Sequence, residues 1–541
     1  MTYLLNRQII LLKIALIICN IGLIPVLTIN RTFGAERIKF NYGLLEESIP
    51  IHSLETYART GAVDKYLAVY SHYVDKKQLT QLQKSLLAPI PLNKVQVSQF
   101  LYTPIGERLL GILGKVIQTE SRLSGFYAIR AALILSAADA NNFTLLNVLN
   151  KFPTNAILIN LSESLAVVNI LENIVNKTQN AVALINQQSQ NQYTTDSPLN
   201  TLLLKDSRKL GSLRFVKQTI TLNDLSRNRI FPADIYLPVA KTHLPIIVIS
   251  HGLGSDRTSF AYLAEHLASY GFVVAVPEHP GSNAKQIQAL LAGKVDRVTN
   301  PREFIDRPLD IKYLLDELTS LSKTNPTFRG RLNLEQVGVV GQSFGGYTAL
   351  ALAGAKINFE QIKANCLDLE NTLNISLLLQ CLAVDLVNTK YNLSDTRVKA
   401  IIAINPIDSS IFGQASLSQI KIPVMMVSGS ADTVTPALPE QIQPFTWLTT
   451  PHKYLALING GTHFSTITES SNTILSLPTQ LIGASPALAR SYVRALSVAF
   501  FQAYVAEQPS YLPYLSTDYV NKISQQPLPL SLIKSLTSEQ L

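Results

Sequence analysis

Cysteine, methionine, tryptophan and histidine are all scarce in this chain: three, three, one and eight residues in 541. There is no Cys-x-x-Cys and no His-Glu-x-x-His, so the spacings that build zinc and redox sites are missing, and no metal or cofactor is expected. Basic residues exceed acidic ones by nine, yet no basic run is longer than two, and nothing marks a nucleic-acid partner. The excess positive charge instead favours peripheral contact with anionic membrane surfaces. Long apolar runs are also few. The clearest, Ile14–Ile29, is broken by Asn20 and Pro25 and is short for a membrane span. Arg7 and Lys13 precede it, and Thr32 and Gly34 follow. Residues 1–35 therefore read as an export signal cleaved just before Ala35 or Glu36, which makes the protein periplasmic or secreted; an uncleaved membrane anchor is the alternative. In an oxidising compartment Cys366 and Cys381 can close a disulfide, and two buried thiols are the other reading.

What the chain does contain is apolar material, 47% of residues against 15% charged, enough for two or three domains. Residues 36–190 read as a helical N-terminal domain. Leu79, Leu82, Leu86 and Leu87 recur at helical spacing, as do Leu165, Val168, Leu171, Ile174 and Val175. No catalytic constellation stands out there. The polar stretch Gln187–Asn200 reads as a linker. Residues 205–510 then alternate strands with helices, the pattern of a mainly parallel sheet covered on both faces. Residues 357–396 interrupt it as a helical insertion, and 511–541 form a C-terminal tail.

One stretch organises that second domain. The β-branched run Val337–Val340 leads into Gly341-Gln342-Ser343-Phe344-Gly345, and an Ala/Leu-rich helix follows. This is strand, sharp turn, helix, with glycines leaving room for a turn that holds Ser343 in a strained conformation at a helix N-terminus. A serine hydroxyl needs a base, and the base needs an acid to hold its tautomer. Behind this kind of turn the chain order is serine, acid, histidine. Asp432 follows the strand Pro423–Ser428, and His463 follows the strand Lys453–Ile458 on a Gly-Gly-Thr-His turn, so all three fall at C-terminal strand ends. Asp408, after the strand Val398–Ile404, is the alternative acid. The oxyanion donors are expected at the backbone N–H groups of Phe344 and Leu253, and His251 and His279 are read as loop supports.

These residues carry a resemblance. Residues 213 to about 470 resemble the α/β-hydrolases related to plasma-type platelet-activating-factor acetylhydrolase and to dienelactone hydrolase. The stretches that carry it are Ser250-His251-Gly252-Leu253-Gly254-Ser255, Glu278-His279-Pro280-Gly281-Ser282 and Gly341–Gly346. The blocks Ser428–Asp432 and Thr462-His463-Phe464 are closer to the dienelactone-hydrolase side. The whole chain is similar to predicted exported hydrolases of cyanobacterial type whose N-terminal domain has no assigned function. The resemblance implies an α/β-hydrolase fold, a Ser343–Asp432–His463 triad and ester hydrolysis without a cofactor. Two departures stand out. Acetylhydrolases of this kind carry their acid where this chain has Asn405-Pro406-Ile407-Asp408, and dienelactone hydrolases use cysteine where it has Ser343. The expectation is a serine esterase acting on lipid-like or short- to medium-chain esters. A non-catalytic binding or scaffold protein on the same fold, or an acyltransferase using the same triad, are the alternatives. The apolar part of the insertion, Ile375 to Val384, either lines an acyl pocket or packs on the N-terminal part of the chain.

Overall fold

A computed structural model describes residues 34–541 except 43–44, 72–74, 140–141, 196–203, 241–242, 368, 370–373 and 469–478. The expected export signal lies, but for its last two residues, outside the described residues. The chain forms two compact units, one made of residues up to Ser98 plus Leu110–Leu165, the other of Gln99–Leu109 plus Ala166–Leu541. The helix Leu161–Thr195 runs through the first part of the expected linker. Among the described residues no helix is long and apolar enough to cross a membrane.

The first unit is not all-helical. Its strands β1 (Arg37–Tyr42), β2 (Leu45–Pro50), β3 (Ile117–Thr119) and β4 (Ala156–Asn160) form a sheet in the order β2-β1-β4-β3. The pattern was hard to see because the strands are three to six residues long. β1 also pairs with a strand more than a hundred residues away, Arg37 opposite Ala156. Buried Ala156-Ile157-Leu158 is a short apolar run, which periodicity cannot tell from the start of a helix.

The second unit is built on nine strands: β5 (Phe215–Asp224), β6 (Arg229–Pro238), β7 (Leu244–Ser250), β8 (Val273–Pro277), β9 (Leu332–Gln342), β10 (Val398–Ile404), β11 (Val424–Gly429), β12 (Lys453–Ile458) and β13 (Leu530–Ile533), in the order β13-β12-β11-β10-β9-β7-β8-β6-β5. The six central strands are parallel; β5, β6 and β13 add antiparallel edges. Both faces are dry. Ile246, Val248, Val337 and Val339 pack on one side with Leu314, Leu318 and Leu350. Ile247, Ile249, Val340 and Ile402 pack on the other with Leu263, Leu496 and Phe500. Successive side chains point to opposite faces, so burying both gives the continuous apolar strands seen in the sequence.

The expected C-terminal tail is part of this body. β13 pairs antiparallel with β12, Leu455 opposite Ile533, and Leu528, Leu530, Leu532 and Ile533 are buried. In the insertion, Leu377 and Leu378 pack with Ile105 and Leu109 of the same unit, and Cys366 and Cys381 are joined in a disulfide. The helix Glu303–Thr324 holds Pro308 inside it. Register sets the functional edge: Ser250 lies beside Gly341, and Gln342 beside Ile404. Residues 251, 343 and 405 therefore leave the sheet side by side.

Candidate active site

Ser343 sits between β9 and the helix Phe344–Leu352 with φ 56° and ψ −117°, a conformation L-residues rarely adopt. Such strain costs about 1–3 kcal/mol and persists only where the surroundings over-determine it. Here they do. The Ser343 N–H donates to the Ile404 carbonyl at 2.9 Å, and the Ser343 carbonyl accepts from Tyr347 N–H at 3.1 Å. A Cβ on Gly341 would stand 1.9 Å from the Gly345 carbonyl oxygen, and one on Gly345 would stand 1.9 Å from that of Ser250. Close backbone approach on both sides of the serine thus demands glycine.

Asp432 lies on the turn after β11. Its Oδ1 accepts the Val434 and Thr435 N–H groups at 2.8 Å each, and its Oδ2 accepts the Thr435 hydroxyl at 2.8 Å. The same Oδ2 faces His463 Nδ1 at 2.8 Å, with both residues buried. An ionised carboxylate only accepts, so Nδ1 carries the ring proton and Nε2 is left as the acceptor. The side-chain amide of Gln342 donates to that Nε2 at 3.1 Å and to the His463 carbonyl at 3.2 Å. Among the described residues Ser343 Oγ makes no hydrogen bond with His463. The structure thus brings Asp432 to His463 and sets Ser343 next to the glutamine that holds the ring.

Asp408 is placed differently. It is fully buried, neither carboxyl oxygen has a protein partner, and it makes no bond with His463. Burial, and next the charge of Glu440, hold its carboxyl well above the usual range, which favours its protonated form. Glu440 is instead fully engaged by Asn374, Gln380 and Ser409, among others.

Leu253 follows β7 on the loop that crosses the serine: a Cβ on Gly252 would lie 3.4 Å from Ser343 Cβ. The backbone N–H groups of Leu253 and Phe344 take no protein partner among the described residues. Two contributors escaped the sequence reading. One is the Gln342 amide. The other is Asn405, whose Oδ1 accepts Gly429 N–H at 2.9 Å while its Nδ2 donates to the Thr462 carbonyl at 3.4 Å, tying the acid turn to the histidine turn. Its signal was faint: an asparagine directly after a buried strand, at a φ of 42° that asparagine tolerates. No group of His, Cys, Asp and Glu suited to a metal occurs among the described residues.

Comparison with known proteins bears on other parts of the chain. Residues 34–160 match the model of an α/β-hydrolase family of unknown function, and residues 210–306 that of platelet-activating factor acetylhydrolase, isoform II. The fold is that of an α/β-hydrolase. A platelet-activating factor acetylhydrolase from Cavia porcellus is 25% identical over 134 aligned residues, which span 20% of this chain and 31% of that protein. The acetylhydrolase match takes in the α/β-hydrolase's Leu253 loop and His279 but ends before Ser343, so the serine, acid and histidine stand on their own geometry.

Proposed function

We propose that the chain is a serine hydrolase of carboxylic esters. The observation that carries this is the buried 2.8 Å pair of Asp432 and His463, at the sheet edge where Ser343 is held on a strained turn. Ser343 Oγ attacks the ester carbonyl and passes its proton to His463 Nε2, which the Asp432 bond leaves as the acceptor. The Gln342 amide gives up that nitrogen and keeps its bond to the His463 carbonyl. The oxyanion is held by the N–H groups of Leu253 and Phe344, each such donor being worth about 10²–10³ in turnover. The imidazolium protonates the leaving alkoxide, and water, activated by the same histidine, releases the acid.

The acetylhydrolase-like stretch favours lipid-like or short- to medium-chain esters. The reading includes export to the periplasm or beyond, which the Cys366–Cys381 disulfide supports, and peripheral contact with an anionic membrane surface. One observation favours a second reading, a non-catalytic hydrolase fold: His463 Nε2 is bonded to Gln342 and not to Ser343. Hydrolysis of p-nitrophenyl acetate and butyrate separates the two. The first reading expects turnover that Ser343→Ala abolishes; no turnover by folded wild type, or equal turnover by the variant, supports the second.

A further inference from the structure

Behind the Leu253 loop lies a polar cluster that the proposed chemistry does not use. Arg307, from the helix Glu303–Thr324, is fully buried. Its Nη1 donates to Ser282 Oγ at 2.6 Å, and its Nη2 to Ser250 Oγ at 3.3 Å and to the His251 carbonyl. Its Nε donates to Thr348 Oγ1 at 3.2 Å, and its guanidinium carbon lies 4.7 Å from the centre of the Phe344 ring. The Thr348 hydroxyl in turn donates to the Phe344 carbonyl at 2.9 Å. One planar cation therefore bonds the His251 carbonyl, two residues before Leu253, and meets Phe344 through its ring and, by way of the Thr348 hydroxyl, through its carbonyl.

The segment is braced from behind as well. His279 Nε2 meets Ser250 Oγ at 3.0 Å, and its Nδ1 meets Asp310 Oδ2 at 2.9 Å. This repeats a serine–histidine–carboxylate relay, but all three residues are fully buried and no substrate reaches them. The His279 N–H donates to His251 Nε2 at 3.1 Å, which leaves His251 Nδ1 to donate to the Gly252 carbonyl at 2.8 Å. Arg229 holds Asp310 at 2.7 Å and Glu303 at 2.7 Å, so carboxylates balance the cations.

A buried cation is a poor way to gain stability. Taking it out of water costs several kcal/mol, and apolar side chains of similar volume often do as well or better. What a guanidinium supplies, and an apolar side chain does not, is a rigid fork of donors with fixed directions. We propose that Arg307 is a positioning residue that holds the Leu253 and Phe344 N–H groups in register for the oxyanion. The inference rests on the ester-hydrolase reading. Misplacement of a reacting group by about 1 Å costs on the order of 10²-fold in rate, so the effect belongs to the chemical step and not to substrate binding.

The test uses the full exported chain, with wild type, Arg307→Met and Arg307→Lys. Active sites are titrated with a fluorophosphonate, kcat and KM are measured on p-nitrophenyl butyrate per titrated site, and the affinity of an alkyl trifluoromethyl ketone, which forms a tetrahedral adduct, is measured alongside. The expected result for Arg307→Met is a fall in kcat of about 10- to 100-fold with KM within about threefold. Ketone affinity should fall in step with kcat/KM. Arg307→Lys, which keeps the charge without the fork, should recover only part of the loss. If Arg307→Met does not fold, Thr348→Val and Ser282→Ala, which each remove one acceptor of the fork, should show the same split between kcat and KM at smaller size. Unchanged kcat and ketone affinity per titrated site in the folded variants would overturn the inference and leave the hydrolase reading standing. A wild type that neither labels nor turns over would overturn both.

Discussion

Two buried aspartates at one sheet edge meet opposite fates. The Asp432 carboxylate accepts four hydrogen bonds, one of them from His463, whereas the Asp408 carboxyl accepts none. Asp432→Asn should leave the fold intact and lower kcat on p-nitrophenyl butyrate by about 10⁴, the loss seen when such an acid can no longer hold the correct tautomer. Asp408→Asn should leave kcat within about threefold, because that carboxyl makes no bond with the imidazole; a reversed order of effects would move the acid to Asp408. Asp408 also sets a pH dependence. Its folded pKa lies well above the ordinary 3.8, so the folded state keeps a proton that the unfolded chain releases. The stability tied to that proton is complete below the unfolded value and is lost as pH rises toward the folded one. Urea unfolding of wild type and Asp408→Asn should therefore show the variant gaining relative stability from pH 4 to pH 8; a gap that does not change with pH would contradict the buried, protonated carboxyl. Ser343, Asp432 and His463 could be picked out of the sequence because each closes an apolar strand on a short turn. Gln342 and Asn405 could not, because their partners lie at the ends of other strands and on the turns that follow them, and only the folded sheet brings them close.

The same limit operates on elements. The parallel strands were legible because burial on both faces leaves unbroken runs such as Ile246–Ile249 and Val337–Val340. β1 to β4 were not, because a three- to six-residue strand carries little period and gains its meaning from a distant partner. Even so, the strand–turn–helix around Ser343 is the element whose local sequence and geometry agree most closely. Gly345→Ala would push a methyl carbon to 1.9 Å from the Ser250 carbonyl oxygen, backbone against backbone. The variant should lose about 1–3 kcal/mol or more of stability and its esterase activity with it. Thermal unfolding and active-site titration together check this, and a fully active, equally stable alanine variant would mean that the turn is looser than described.

For the whole molecule, the C-terminal residues matter more than their position in the sequence implies. They read as a tail because the run Gln525–Leu530 holds two prolines and polar residues. In the fold they cover β12, the strand that delivers His463. Ending the chain at Ser524 would remove five buried apolar side chains, Leu528, Leu530, Leu532, Ile533 and Leu536. At about 1.5–3 kcal/mol each, that approaches the whole stability of a typical domain. The truncated protein should be insoluble or unfolded by circular dichroism; a soluble, active truncation would show that the sheet closes without β13.

The central claim is that Ser343 is a nucleophile driven by His463 and Asp432, and covalent trapping tests it most directly. Wild type and Ser343→Ala are treated with a fluorophosphonate, and the modified peptide is located by mass spectrometry. The account predicts one adduct per wild-type chain, on Ser343, absent from the variant and strongly slowed in His463→Ala. Labelling of another serine, or of the Ser343→Ala protein to the same extent, would contradict it.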